Sequence, residues 1–230
     1  MKIGLVGIGR MGKVLTSLLA EQVDLYIFDR NLDQMNGVAA EFNVSTIATL
    51  EEMADLDIII LAVPDPEVVS CIKVFNTIEK PLRVINIATN VGQDMLNHIA
   101  APHVKCICAK FVGHADEIAL GHSPVIIVNQ FPPELVAQTV EIFQFVGQVI
   151  IGKADLVHAI NTVAAQKAIE AAVSIEDALK QKNITDPAII KSAIRQVAAG
   201  IMKAYANGNL GPFAREIVHS VKTRIQKKDM

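Results

Sequence analysis

The sequence predicts an α/β chain, a doubly wound sheet followed by a smaller all-α C-terminal domain. Three observations point there. Short apolar runs alternate with amphipathic segments as far as residue 152, the pattern of strands exchanging with helices. Residues 58–63 are apolar without a break, as strands covered on both faces of a parallel sheet are. Beyond Gly152 the strand signal stops and helical periodicity takes over. The expected domains are therefore 1–152 and 153–230.

The elements follow in order. Residues 2–7 form an apolar strand ending in glycine, and Met11, Val14, Leu15, Leu18 and Leu19 then recur at helical spacing. Residues 23–28 make a second strand, closed by Asp29-Arg30-Asn31, with a helix over 32–42 and a short strand near 44–47. Thr49 and Glu52 have the spacing of a capping box and start a small helix at 50–54. Strands are expected at 57–63, 83–88, 104–109, 125–128 and 149–151, with helices at 67–75, 93–99 and 133–145. Residues 155–182 read as one long helix. Asp186 and Pro187 supply an N-cap and a first-turn proline for the next, which runs to Ala206. Gly211-Pro212 opens a last helix that ends near Lys227.

Composition narrows the function classes. Hydrophobic residues make up 51% and the net charge is −3, a globular chain with no electrostatic footprint for nucleic acid. The longest apolar run, residues 58–64, is far short of the ~20 residues that span a bilayer. The N-terminal run is too short for a signal peptide, so a cytoplasmic location is expected. Three cysteines, Cys71, Cys106 and Cys108, argue against a disulfide framework, and no complete ligand set accompanies them, so no metal is expected. The middle of the long helix, residues 160–172, is apolar around most of its circumference and needs cover on all sides. A homodimer through the C-terminal helices is the expected source.

The segment Gly7-Ile8-Gly9-Arg10-Met11-Gly12 fits G-x-G-x-x-G, between a strand and a helix. Asp29 follows Gly7 by 22 residues, near the ~20 expected of the acidic residue in a Rossmann-type dinucleotide site. Each position has a task there. Gly7 permits the tight turn, Gly9 lets the backbone approach a pyrophosphate, and Gly12 lets the helix pack on the strand. The helix N-terminus presents unpaired N–H groups to the phosphates. Asp29 would accept from ribose hydroxyls and repel a 2′-phosphate, whereas Arg30 would attract one. NAD or NADP is the expected cofactor, with NAD slightly preferred. Ala62-Val63-Pro64 and Ala88-Thr89 end later strands, where ligands of open α/β sheets bind.

The glycine turn, Asp29-Arg30-Asn31, the strand end at Pro64 and the late helical unit together resemble the 6-phosphogluconate dehydrogenase-like superfamily. The size and two-part layout are most similar to pyrroline-5-carboxylate reductases. The resemblance implies hydride transfer between NAD(P) and a small imino, keto or hydroxy acid. Residues 111–121 are similar to the substrate-side loop of β-hydroxyacid dehydrogenases. Residues 152–161 are similar to the start of their long helix, with His158 roughly where those enzymes carry a lysine and Asn161 matching their asparagine. The Ser/Thr-Gly-rich helical entry of the proline-forming reductases is missing. Histidine titrates near neutrality and suits proton transfer, so His158 with Asn161, or His114, are the catalytic candidates. His122 ranks below His114, while His98, His103 and His219 are expected on the surface. Arg215 is a candidate for a substrate carboxylate. The alternative is a non-catalytic NAD(P)-binding regulatory protein on the same fold, and a deazaflavin-linked reductase would share it too.

Overall fold

The computed structural model describes residues 1–227. Its contacts divide into two compact units, Met1–Thr162 and a second that begins at Val163.

The first unit is built on one eight-stranded sheet. The strands are β1 (Lys2–Val6), β2 (Asp24–Phe28), β3 (Ser45–Thr46), β4 (Ile58–Leu61), β5 (Leu82–Asn86), β6 (Val104–Val112), β7 (Val125–Val128) and β8 (Gln148–Ile151). Their spatial order is β3-β2-β1-β4-β5-β6-β7-β8. The chain order reverses beside β1, which pairs with both β2 and β4 in parallel. That is the switch point of a doubly wound sheet, where a crevice opens at the carboxyl ends of the strands. Register puts Val6 level with Phe28 and with Leu61, and Leu61 level with Asn86. The residues that follow them, Gly7, Asp29, Ala62 and Ile87, therefore emerge along one edge.

Helices α1 (Arg10–Leu19), α2 (Leu32–Phe42), α3 (Asp65–Phe75), α4 (Gln93–Ile99), α5 (Ala115–Ala119) and α6 (Pro133–Phe143) connect the strands, with a 3-10 turn at Glu51–Asp55. Period-2 alternation sends strand side chains into two cores. Ile3, Leu5, Ile27, Ile60 and Ile85 join Leu15 and Leu19 of α1 on one face. Val6, Ile59, Leu61, Val84 and Cys108 join Ile72 and Phe75 of α3 on the other. The strands β1 and β4 thus lie under side chains on both faces, which is why residues 3–6 and 58–61 read as continuous apolar runs.

The far edge departs from the sequence expectation. β6 extends to Val112 rather than stopping at 109, and β7 pairs with it antiparallel, Ala109 opposite Val128 and Val112 opposite Val125. β8 is parallel to β7. The segment after β6, expected as a substrate-side loop, carries the short helix α5 with His114 as its N-cap residue. His103, expected on the surface, is half-buried, with its Nε2 unpaired.

The long helix α7 (Leu156–Gln181) has 26 residues, about 39 Å at 1.5 Å per residue. Val157 is buried and Asn161 donates to the carbonyl of Phe111 at 2.9 Å, so its first turns pack with the sheet. The division between units accordingly falls at Thr162, inside the helix, whereas strand signal alone places it after 152. The second unit holds the rest of α7, then α8 (Pro187–Ser192), a π-helical stretch (Ala193–Ala198), α9 (Ala199–Ala206) and α10 (Pro212–Gln226). Asp186 caps α8, accepting from the Ala188 and Ile189 amides. Among the described residues of this unit Ile190 alone is buried, while Val163, Ile169, Val173, Val197, Ile201 and Phe213 are exposed.

Candidate functional site

The turn after β1 has the geometry its glycines predict. Gly7 sits at φ +93°, a backbone region that side-chain-bearing residues rarely adopt. A Cβ at Gly12 would lie 1.9 Å from the Gly7 carbonyl oxygen, so only glycine lets α1 approach the turn this closely. A Cβ at Gly9 would meet nothing within 4 Å. That position faces open space over the start of α1. Gly9 is the N-cap and brings no side chain to the first amides, and the first turn holds no acidic residue. Those amides are free to receive an anion, and the helix dipole favours one. The backbone therefore fits a dinucleotide pyrophosphate.

Asp29 is fixed by the same turn. Its Oδ2 accepts from the Ile8 amide at 2.6 Å and its Oδ1 from the Asn31 amide at 2.8 Å. Each carboxylate oxygen keeps a lone pair for a ribose hydroxyl. Ile8 itself is buried, so its contribution to this arrangement is the amide rather than the side chain. A cavity of about 270 Å³ opens beside Asp29, lined by Gly7, Gly9, Asp29, Arg30, Ala62, Val63 and Pro64 from the sequence-expected set. Gln34, Leu50, Glu67 and Cys71 also line it and were not expected. The Arg30 guanidinium is ion-paired with Glu67 of α3, and the Gln34 amide donates to the Ile8 carbonyl. Burial pushes the Cys71 thiol up to about 11, so the wall it forms is neutral.

A second cavity, about 560 Å³, shares Gly9, Ala62, Val63 and Pro64 with the first. Its remaining lining includes Arg10, Met11, Ala88, Thr89, Phe111, His114 and Asn161. The strand-end loops after β4, β5 and β6 thus converge on one space. His114 and Asn161 are brought together there. His158 is not: it is exposed and lines neither cavity. Asn161 turns its amide to the Phe111 carbonyl rather than to His158, although the two stand one helical turn apart. His114 Nδ1 lies 3.8 Å from the Asp116 carboxylate, both well exposed. Arg215 donates to the Leu210 carbonyl at 2.8 Å, within its own unit.

Beside this cavity lies a polar cluster that sequence reasoning missed. Lys110, 1% exposed, donates to the Thr89 carbonyl at 3.1 Å and to Asp155 Oδ1 at 2.8 Å. A buried ammonium is tolerable only with such partners. The pair ties the Thr89 loop to the start of α7. Gln93 reinforces it, accepting from the Cys108 amide and donating to the Cys106 carbonyl, while Asn129 accepts from the Ala154 amide. The one sequence signal was a lysine inside an apolar strand, which has to find an acid. Burial also pushes Cys106 up to about 12 and Cys108 to about 11. Among the described residues no group of three His, Cys, Asp or Glu side chains is placed to hold a metal ion, and no described helix is long and apolar enough to cross a membrane.

Comparison with known proteins bears on the same region. Residues 2–90 match a family model described as NADP oxidoreductase coenzyme F420-dependent. No curated protein matches the chain by sequence. Among solved structures, a pyrroline-5-carboxylate reductase from Coxiella burnetii superposes with a TM-score of 0.72 at 14% identity, covering 99% of this chain and 89% of its own. A pyrroline carboxylate reductase from Plasmodium falciparum with NADP bound gives 0.63 at 17% identity, covering 99% and 92%. An imine reductase variant from Myxococcus stipitatus in complex with NAD+ gives 0.65 at 12% identity, covering 99% and 77%. The chain therefore has the fold of these reductases, and its first β-α-β units match the oxidoreductase model.

Proposed function

We propose that this protein is an NAD(P)-dependent oxidoreductase acting on a small imino, keto or hydroxy acid, as pyrroline-5-carboxylate reductases and β-hydroxyacid dehydrogenases do. One observation carries the reading. The cavity at Asp29 and the cavity at His114 share the wall formed by Gly9 and residues 62–64, which suits a two-ended ligand lying across the start of α1. The adenosine ribose would bond to Asp29, the pyrophosphate to the α1 amides, and the nicotinamide would lie among Ala62, Ala88 and Thr89. Asp29 favours NAD by its charge, because a 2′-phosphate would meet a carboxylate there.

When bound, the nicotinamide supplies or accepts the hydride. This chain's residues do the rest. His114 gives a proton to the nitrogen or oxygen of the reduced substrate and takes it back in the reverse direction. Asn161, with its amide nitrogen held by Phe111, keeps its carbonyl oxygen for the substrate or for water. Arg10 offers the second cavity a cation for a substrate carboxylate.

The test is oxidation of NADH and NADPH with a panel of cyclic imines and 2-keto acids, repeated with His114→Ala and His158→Ala. His114→Ala is expected to lower kcat/KM by more than tenfold, about 1.4 kcal/mol of transition-state stabilisation, and His158→Ala by less. The reverse order would remove His114 from the mechanism. The exposure of His114 keeps one rival in play, a cofactor-binding regulatory protein, which would bind NADH and turn over none of the panel.

A further inference from the structure

We propose that Glu67, acting through its ion pair with Arg30, is the positioning residue that turns the Asp29 cavity toward NAD(H) and away from NADP(H). The proposal rests on the cofactor reading above.

Arg30 is the single cation among the described residues that line this cavity, where it faces two carboxylates, Asp29 and Glu67. The local formal charge is therefore −1 before any ligand enters. A guanidinium beside the ribose is the group best shaped to hold a 2′-phosphate, because its donors form a planar fork. Here one arm of that fork, Nη2, is held by Glu67 Oε2, so a carboxylate already compensates the guanidinium charge. The pairing is built into the fold. Pro64 ends the β4 loop and α3 begins at Asp65, which puts Glu67 in its first turn, where the helix dipole favours a carboxylate. The Arg30 side chain is 70% exposed and that of Glu67 35%, so the acid is the better anchored member and the arginine is the one that can be released. The other polar neighbours do not compete for a phosphate. Gln34 is bonded to the Ile8 carbonyl, and the Cys71 thiol is neutral.

A phosphate dianion entering this cavity must displace Glu67 from Arg30 or sit beside two carboxylates. NAD(H), without that phosphate, meets neither obstacle. Glu67→Gln keeps the side chain's size, removes one negative charge and frees the Arg30 fork.

The full-length chain would be titrated with NADH and with NADPH, following the fluorescence of the reduced nicotinamide, so that no turnover is needed. For the unaltered protein, NADH is expected to bind at least tenfold more tightly than NADPH. In Glu67→Gln the ratio of the two dissociation constants moves at least tenfold toward NADPH. In Glu67→Gln combined with Arg30→Met that gain disappears, and in Glu67→Asp, which keeps the charge, the original preference is retained. Rising salt should shrink the shift, as expected of charge rather than shape. A ratio that stays within threefold in Glu67→Gln would overturn the proposal, as would a gain that survives the loss of Arg30. Failure of the unaltered chain to bind either nucleotide would overturn the cofactor reading itself, a result distinct from an unmoved ratio.

Discussion

Gly9 and Gly12 belong to one motif, yet the structure assigns them separable tasks, and substituting each with alanine tests that separation. At Gly12 the added Cβ would stand 1.9 Å from the Gly7 carbonyl oxygen, while contacts under 3.0 Å essentially never occur. The start of α1 must move about 1 Å from β1, because neither a Cβ fixed to its Cα nor a backbone carbonyl can rotate away. Overpacking of this kind costs about 1–3 kcal/mol, and the upper end applies here. For a chain of this size that lowers Tm by roughly 10 °C, at about 2–4 °C per kcal/mol. At Gly9 the Cβ meets no protein atom within 4 Å, and φ is −68°, open to any residue. The N-cap preference of glycine over alanine and the lower unfolded-state entropy of alanine largely cancel, leaving stability within about 0.5 kcal/mol. The same methyl group projects where a pyrophosphate would rest, so NADH affinity should fall at least tenfold, about 1.4 kcal/mol. Thermal unfolding and nucleotide titration of both variants check this. Gly9→Ala with undiminished NADH affinity, or Gly12→Ala with an unchanged Tm, would refute the reasoning.

The buried ion pair should be asymmetric. Asp155→Ala strands an ammonium that is 1% exposed, whereas Lys110→Met leaves a carboxylate that is 48% exposed and can rehydrate. The first should cost about 3 kcal/mol in urea unfolding, the low end for a broken buried pair because Asp155 is already partly screened, and the second about 1 kcal/mol. Equal costs would argue against it. Alkaline stability should follow the three thiols, which burial raises from the ordinary 9.0 to about 11 or 12. The unfolded chain releases these protons first, so their contribution is intact below about pH 9. It is lost as pH rises toward their folded values, on the order of 1 kcal/mol per thiol per pH unit. A variant with all three changed to alanine should decline less steeply above about pH 9, and parallel curves would exclude the thiols. The exposed apolar residues of the helical unit lead us to propose a homodimer through these helices, and sedimentation of the full chain as a uniform monomer would end that idea.

Much of the fold was legible because its signals are local. A glycine turn between a strand and a helix determines its own backbone, and continuous apolar runs such as residues 58–61 mark strands covered on both sides. The strand end at Asp29 was legible for the same reason. What escaped depends on distant partners. Lys110 breaks the apolar run of β6, so the strand signal ends at 109; its ammonium is satisfied by Thr89 and by Asp155, 45 residues away. Arg30 looked free for a phosphate because Glu67 stands 37 residues further along the chain. His158 and Asn161 share a helix face by spacing, but the β6 carbonyl that engages Asn161 could not be read from spacing alone. The antiparallel pairing of β7 has no local signature, since its four residues suit either direction.

The central claim is that the Gly7–Gly12 turn and Asp29 hold a nicotinamide dinucleotide. Titrating the purified full-length chain with NADH, and competing with ADP-ribose, tests it most directly. Saturable binding at one site per chain below about 1 mM, displaced by ADP-ribose and weakened by both Gly9→Ala and Asp29→Ala, is the predicted result. No binding in that range, or binding that those two substitutions leave unchanged, would contradict the account.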